Sequence, residues 1–194
     1  MSSRHFTIPV FVPELACPNR CVFCNQRNIS GTLVMPQPRD VVEIIENHLA
    51  TIPPGSDTEI GFFGGNFTGI EPDVQQSYLE IAENYVMAGR VKSIRLSTRP
   101  DYIDKERLAL LSKFTVTTIE LGAQSLDDEV LRLSGRGHTT KDVEKASKLI
   151  LEHGFSLGLQ MMVGLPGDTP EKSIATVRRI VQLGASCTRI YPTL

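Results

Sequence analysis

The sequence predicts an α/β domain, a partial (β/α)6 TIM-type barrel with parallel strands. Three observations predict it. Short apolar stretches alternate with amphipathic ones six times along the chain, with short connections between them. The chain has 194 residues, whereas a closed eight-stranded barrel needs roughly 250. The chemically unusual residues follow the strands instead of scattering, as sites at the C-terminal edge of a parallel sheet do.

Each element has its own warrant. Residues 7–12 read as the first strand. Val41, Val42, Ile44, Ile45 and Leu49 recur at helical spacing. Residues 59–63 form the second strand. Val74, Tyr78, Ile81 and Tyr85 line one helical face, and Gly89 suits the position just past its end. A third strand is expected over 91–96, a helix over 105–112 and a fourth strand over 116–121. Ser125 is placed to cap a short helix over 127–133. Thr139, with Asp142 three residues later, opens a longer helix that ends near Gly154. Residues 155–163 form the fifth strand. Thr169 and Pro170 make a cap and first-turn pair, and Gly184 closes that helix. Residues 186–191 are the sixth strand. Right-handed crossovers curl such a sheet. No repeat or linker divides the chain, so one domain is expected over 1–194. The sequence stops at Leu194 with no helix after the last strand, and a natural C-terminal continuation is expected.

Composition narrows the class. Apolar residues make up 41% and charged residues 22%, and the net charge is −2. These values are ordinary for a soluble globular chain and argue against a large non-specific nucleic-acid footprint. No apolar run reaches the length of a membrane span, and residues 1–9 carry no signal-peptide core. The cytoplasm is the expected compartment, with no membrane partner. Disulfides are not expected there.

Five loops carry the unusual residues: 17–24 after the first strand, 64–69 after the second, 97–101 after the third, 122–125 after the fourth and 164–168 after the fifth. Gly, Pro and Asp make turns in any protein. That does not explain Cys17, Cys21 and Cys24 within one loop. Thiolates at this spacing suit an iron–sulfur cluster or zinc. Electron-transfer clusters use four cysteines, and the fourth here, Cys187, falls inside the last strand and is expected in the core. Three thiolates on a four-iron cube leave one iron open. Zinc would need a fourth ligand from His5, His48, His138 or His153, none at a typical finger spacing.

The run from Cys17 to Cys24, with Phe23 before the third cysteine, resembles the radical S-adenosylmethionine (radical SAM) signature. Ser97-Thr98-Arg99-Pro100-Asp101-Tyr102, Glu120-Leu121-Gly122-Ala123-Gln124-Ser125, Gly135-Arg136-Gly137-His138-Thr139 and Tyr191-Pro192-Thr193-Leu194 resemble the catalytic subunit of Elongator, which modifies the tRNA wobble uridine. Gly64-Gly65 and Gly164-Leu165-Pro166 are also similar to oxygen-independent coproporphyrinogen oxidases. The chain departs from both. The Elongator subunit has a wider gap between its first two cysteines and an acetyltransferase-like domain. The porphyrin enzymes have a further cysteine where Gln26 stands and an acidic residue where Ser97 stands.

The resemblance implies the chemistry. Cys17, Cys21 and Cys24 would hold a 4Fe–4S cluster, and S-adenosylmethionine would bind the open iron. Gly64, Gly65 and Asn66 would hold the methionine amino group. Phe23 and the turn Gly164-Leu165-Pro166 would meet the adenine. Ser97 and Gln124 would contact ribose or methionine, and Arg136 the methionine carboxylate, a pairing that suits arginine. Reductive cleavage would yield a 5′-deoxyadenosyl radical that abstracts a substrate hydrogen, with tRNA a candidate substrate and flavodoxin or ferredoxin a candidate electron donor. No catalytic side chain is assigned. His138 reads as a hydrogen-bonded loop histidine, and Gln160 would touch substrate if it points into the barrel. Arg95, Arg99, Arg132, Arg136 and Arg189 near the mouth suggest an anionic substrate or else salt bridges. The remaining alternatives are an iron–sulfur electron-transfer module and a zinc-dependent nucleic-acid-binding protein.

Overall fold

The computed structural model describes residues 4–13, 17, 21–24 and 34–193. Among them six strands form one parallel sheet: β1 (His5–Val12), β2 (Asp57–Gly64), β3 (Ser93–Thr98), β4 (Val116–Gln124), β5 (Ser156–Val163) and β6 (Cys187–Pro192). Each strand pairs with the next in chain order. A doubly wound sheet would reverse its strand order at a switch point. Unbroken order winds the sheet one way, into a curled half-barrel.

The helices follow the strands: α1 (Pro38–Leu49), α2 (Pro72–Met87), α3 (Lys105–Leu111), α4 (Asp128–Leu133), α5 (Thr140–Glu152) and α6 (Pro170–Gln182). Strand side chains alternate between the two faces of the sheet. On the helix side stand Ile8, Val10, Ile60, Phe62, Ile94, Leu96, Ile119, Leu121, Leu157 and Leu159, all essentially fully buried. They pack against Val41, Ile45, Leu79, Leu108, Val143 and Ile180 of the helices. Burying each such side chain stabilises the fold by about 1.5–3 kcal/mol. The opposite, concave face carries Thr7, Glu59, Arg95, Ser97, Glu120, Gln160 and Arg189, by the same alternation and the strand register.

The caps explain where helices start. Thr139 accepts from Asp142 N, and Asp142 accepts from Thr139 N, a complete capping box for α5. Thr169 caps α6 with Pro170 at its first position. Gly89, Gly154 and Gly184 all have positive φ just past helix ends, the left-handed turn that lets the last carbonyls find donors.

Four expectations are corrected. Asp127, not Ser125, caps α4: its carboxylate accepts from Val130 N at 3.0 Å, while Ser125 Oγ accepts from Asp127 N. The third strand, expected over 91–96, runs Ser93–Thr98, because Ser97 and Thr98 still pair with Glu120 and Leu121 of β4. β4 runs on to Gln124 through a register shift at Gly122, so the segment 122–124 is strand. Cys187 is exposed, because β6 is an edge strand whose residues are mostly uncovered. Gln26 and Leu194 lie outside the described residues. No described helix is long and apolar enough to cross a membrane.

Candidate functional site

The C-terminal ends of β1 to β5 bring the five unusual loops to one edge of the sheet. Cys21 is buried, and Cys17, Phe23 and Cys24 are half-buried. Cys24 N donates to Cys21 O at 3.0 Å, and Val22 N donates to Ser134 O at 3.1 Å. The cysteine turn is therefore docked on the end of α4. No disulfide joins any of the four cysteines. Burial pushes the Cys17 thiol pKa up, against the pull of the Arg136 and Arg99 guanidiniums; Cys24 and Cys21 raise it further.

Arg136 links this turn to the sheet. The chain leaves α4 through Gly135, at φ +64°, and Arg136 N returns to Leu131 O. Its buried guanidinium donates to Gly122 O at 2.8 Å and points Nη1 at Cys21 Sγ, 3.6 Å away. A Cβ at position 122 would sit 2.8 Å from Arg136 Nη2, so a glycine makes room for this contact. A second buried guanidinium, Arg99, is gripped twice by Asp101 at 2.9 Å and donates to Arg136 O at 2.9 Å. It fixes the backbone from which Arg136 projects.

His138, two residues on, is buried, with Nε2 3.3 Å from Ala123 O. Desolvation, and then the charges of Arg136 and Arg99, hold its pKa down at about 4. It is a neutral loop histidine, with Nδ1 lacking a partner.

Gly64 has φ +106°, and a Cβ there would lie 2.5 Å from Val12 O. Only glycine fits, and Gly65 N donates to that same carbonyl at 2.8 Å. Asn66 is fully buried; its Oδ1 accepts from Thr98 Oγ1 at 2.6 Å and Arg99 N at 3.2 Å. That oxygen ties the loop after β2 to the loop after β3. Ser97 is buried within β3. Gln124 is the one non-glycine residue with positive φ among the described residues, at +67°. Its Oε1 is buried without a partner. Gln124 thus combines a left-handed backbone with a buried oxygen that no described group answers. Leu165 is buried, while Gly164 and Pro166 are exposed. Asp168 pins their turn, accepting from Gly164 N at 3.0 Å and Ser173 Oγ at 2.7 Å.

The arginines near the mouth are mostly neutralised. Arg95 Nε lies 2.6 Å from Glu59, and Arg95 Nη1 lies 2.8 Å from Glu120. Arg189 lies 3.0 Å from Glu120, and Arg99 pairs with Asp101. Arg132 is exposed on α4. The salt-bridge reading therefore holds for Arg95, Arg99 and Arg189. Sequence reasoning missed the carboxylates Glu59 and Glu120, each at most 4% exposed. The available signal was an acidic residue at the inward parity of an otherwise apolar strand. Gln160 does point into the barrel and donates to Glu120 Oε2 at 2.8 Å.

The donor set of three soft thiols suits an iron–sulfur cluster. The thiols share one electrostatic neighbourhood, and the Arg136 N–H aimed at Cys21 suits a ligating sulfur. The Gly64 cradle and the unanswered Gln124 oxygen suit a second, polar ligand beside it.

Comparison with known proteins agrees. The radical SAM superfamily pattern matches residues 13–180. The chain is 27% identical over 221 aligned residues to a tRNA uridine(34) acetyltransferase of Dehalococcoides mccartyi, covering 96% of this chain and 48% of that protein. The structure of archaeal Methanocaldococcus infernus Elp3 with an N-terminal deletion superposes with TM-score 0.76 at 21% identity, over 100% of this chain and 47% of that one. Coproporphyrinogen III oxidase (HemN) of Escherichia coli, described as a radical SAM enzyme, gives 0.65 at 20% identity, over 99% and 44%. The chain thus spans about half the length of these proteins.

Proposed function

Because the chain belongs to the radical SAM superfamily, we propose that it is an enzyme that reductively cleaves S-adenosylmethionine at a 4Fe–4S cluster and acts on tRNA. When bound, the cluster and cofactor supply a 5′-deoxyadenosyl radical able to take a hydrogen atom from substrate. The protein's part is to bind, orient and shield.

In this reading Cys17, Cys21 and Cys24 hold the cluster. Gly64 and Gly65 bring bare backbone up to the cofactor, and Asn66 stiffens them through Thr98. Gln124 offers its unanswered carbonyl oxygen. Arg136 holds the cofactor carboxylate from beside Cys21. Phe23 and the Gly164-Leu165-Pro166 turn cover the adenine, with Ser97 below. A flavodoxin or ferredoxin would deliver the electron. The observation that carries the reading is the Arg136 guanidinium, which reaches both the cysteine turn and the strand end where Gln124 is strained. An electron-transfer module would leave that link without a task. The tRNA substrate is supported by the acetyltransferase relative.

The test is anaerobic reconstitution with iron and sulfide, followed by dithionite and S-adenosylmethionine. The expected product is 5′-deoxyadenosine, formed faster when bulk tRNA is added. Bound iron without that product overturns the enzyme reading. Product that tRNA does not stimulate overturns the substrate.

A further inference from the structure

Among the described residues the largest fully buried side chain is a charged one, Arg99, 1% exposed and just past the end of β3. Hiding a guanidinium from water is costly, and well-packed hydrocarbon often serves stability as well or better. The contacts of Arg99 show what hydrocarbon could not do. Its Nε donates to Asp101 Oδ1 and its Nη2 to Asp101 Oδ2, each at 2.9 Å. Nη2 also donates to Arg136 O at 2.9 Å. The backbone N–H of the same residue donates to Asn66 Oδ1 at 3.2 Å, and Thr98 Oγ1 donates to that oxygen at 2.6 Å. Pro100, itself buried, stands between Arg99 and Asp101 and restricts the backbone of the turn.

We propose that Arg99 is a positioning residue for the cofactor. It sets the separation between the Gly64-Gly65-Asn66 loop and Arg136, so that the site grips the amino and carboxylate groups of one amino-acid head together. The inference rests on the mouth being the cofactor site, and Arg99 acts there through its neighbours.

Three observations carry it. The first is connection. One residue joins the loop after β2, through its backbone N–H, to the segment after α4, through its side chain. A parallel tie stiffens the first half of that bridge: Thr68 Oγ1 donates to Tyr102 O at 2.8 Å, so the loop after β2 and the turn after β3 form one body. The second is direction. Arg99 holds the carbonyl of Arg136 from one side, while the Arg136 guanidinium reaches the other way, to Gly122 O and Cys21 Sγ. Bidentate pairing with a carboxylate depends on where that guanidinium lies, and a small shift of its backbone would misplace it. The third is chemistry. Asp101 answers the charge of Arg99, so the clamp adds no unmatched cation to compete with Arg136 for a carboxylate. A planar fork can hold a carboxylate with two N–H groups and a carbonyl with a third; an ammonium in its place has no such geometry.

The test measures equilibrium binding of three probes to the anaerobically reconstituted protein: S-adenosylmethionine, its decarboxylated form, and 5′-methylthioadenosine, which lacks the amino-acid head. Arg99→Lys should weaken S-adenosylmethionine by about tenfold or more, the loss for a hydrogen bond to a charged group. It should weaken the decarboxylated form by less and leave 5′-methylthioadenosine unchanged. Arg136→Lys removes the group that Arg99 positions, so adding Arg99→Lys to it should cost little more, as for two residues that act as one unit. Asp101→Asn loosens the same grip, should give the same pattern with smaller losses, and covers the case in which Arg99→Lys fails to fold. Equal weakening of all three probes would show general disruption and overturn the proposal. A decarboxylated form that is unaffected, or as hard hit as S-adenosylmethionine, overturns the coupling of the two head groups. Additive losses in the double variant overturn it too, because they would make Arg99 Nη1, buried without a partner among the described residues, a direct ligand. S-adenosylmethionine that fails to bind the wild type sinks the cofactor reading; wild-type binding that Arg99→Lys and Asp101→Asn leave unchanged sinks the positioning role alone.

Discussion

The two faces of the sheet are made of alternate residues of the same strands, yet one is sealed with hydrocarbon and the other with paired charges. Ile119 and Leu121 point into the helix layer and are fully buried. Glu120, between them, is as deeply buried but faces Arg95, Gln160 and Arg189. The apolar face tolerates small errors, because dispersion and the hydrophobic effect are non-directional. The polar face does not, because each buried charge needs a partner at the right place. A chain that lines its barrel with such a network accepts that demand where a directional surface is needed, next to the site.

That contrast sets the size of mutational effects. Glu120→Ala leaves Arg95 and Arg189 facing each other without their shared carboxylate and should cost about 3–5 kcal/mol in urea unfolding. A cost below that of an ordinary surface change would show that the network does not exist in solution.

The buried His138 gives the next effect, through pH. Its folded pKa of about 4 lies below the ordinary 6.5, so the unfolded chain binds a proton that the folded chain refuses. Stability is complete above pH ~6.5 and falls as pH drops toward 4, by about 3 kcal/mol in all. Urea unfolding across that range should show the loss, and His138→Gln should flatten it. An equal slope in both proteins contradicts the assignment.

Gly158→Ala drives a methyl group against Glu120 and should cost about 1–3 kcal/mol by overpacking. The smallest effect belongs to Cys187→Ser. That thiol is exposed on β6, and the change should stay within about 0.5 kcal/mol and leave iron content unchanged. Loss of iron would mean that Cys187 is a ligand.

The helix-facing half of the fold was legible because apolar periodicity is a local signal. Thr139 with Asp142 and Thr169 with Pro170 announced their helices for the same reason. The cysteine spacing and the glycines of the mouth were legible because few backbones need them. The rest depends on register. Glu120 and Arg189 are 69 positions apart, and nothing local says that they meet. Ser125 and Asp127 are both capping residues; the choice between them is made by β4 running on to Gln124, an extension with a bulge that strand propensity does not foretell.

The most direct measurement of the central claim is electron paramagnetic resonance of the dithionite-reduced, reconstituted protein, with and without S-adenosylmethionine. A reduced 4Fe–4S signal should appear, change its g values when the cofactor is added, and vanish in Cys21→Ala. A signal that ignores the cofactor, or one that survives the loss of Cys21, would contradict a three-thiolate cluster with an open iron at this mouth.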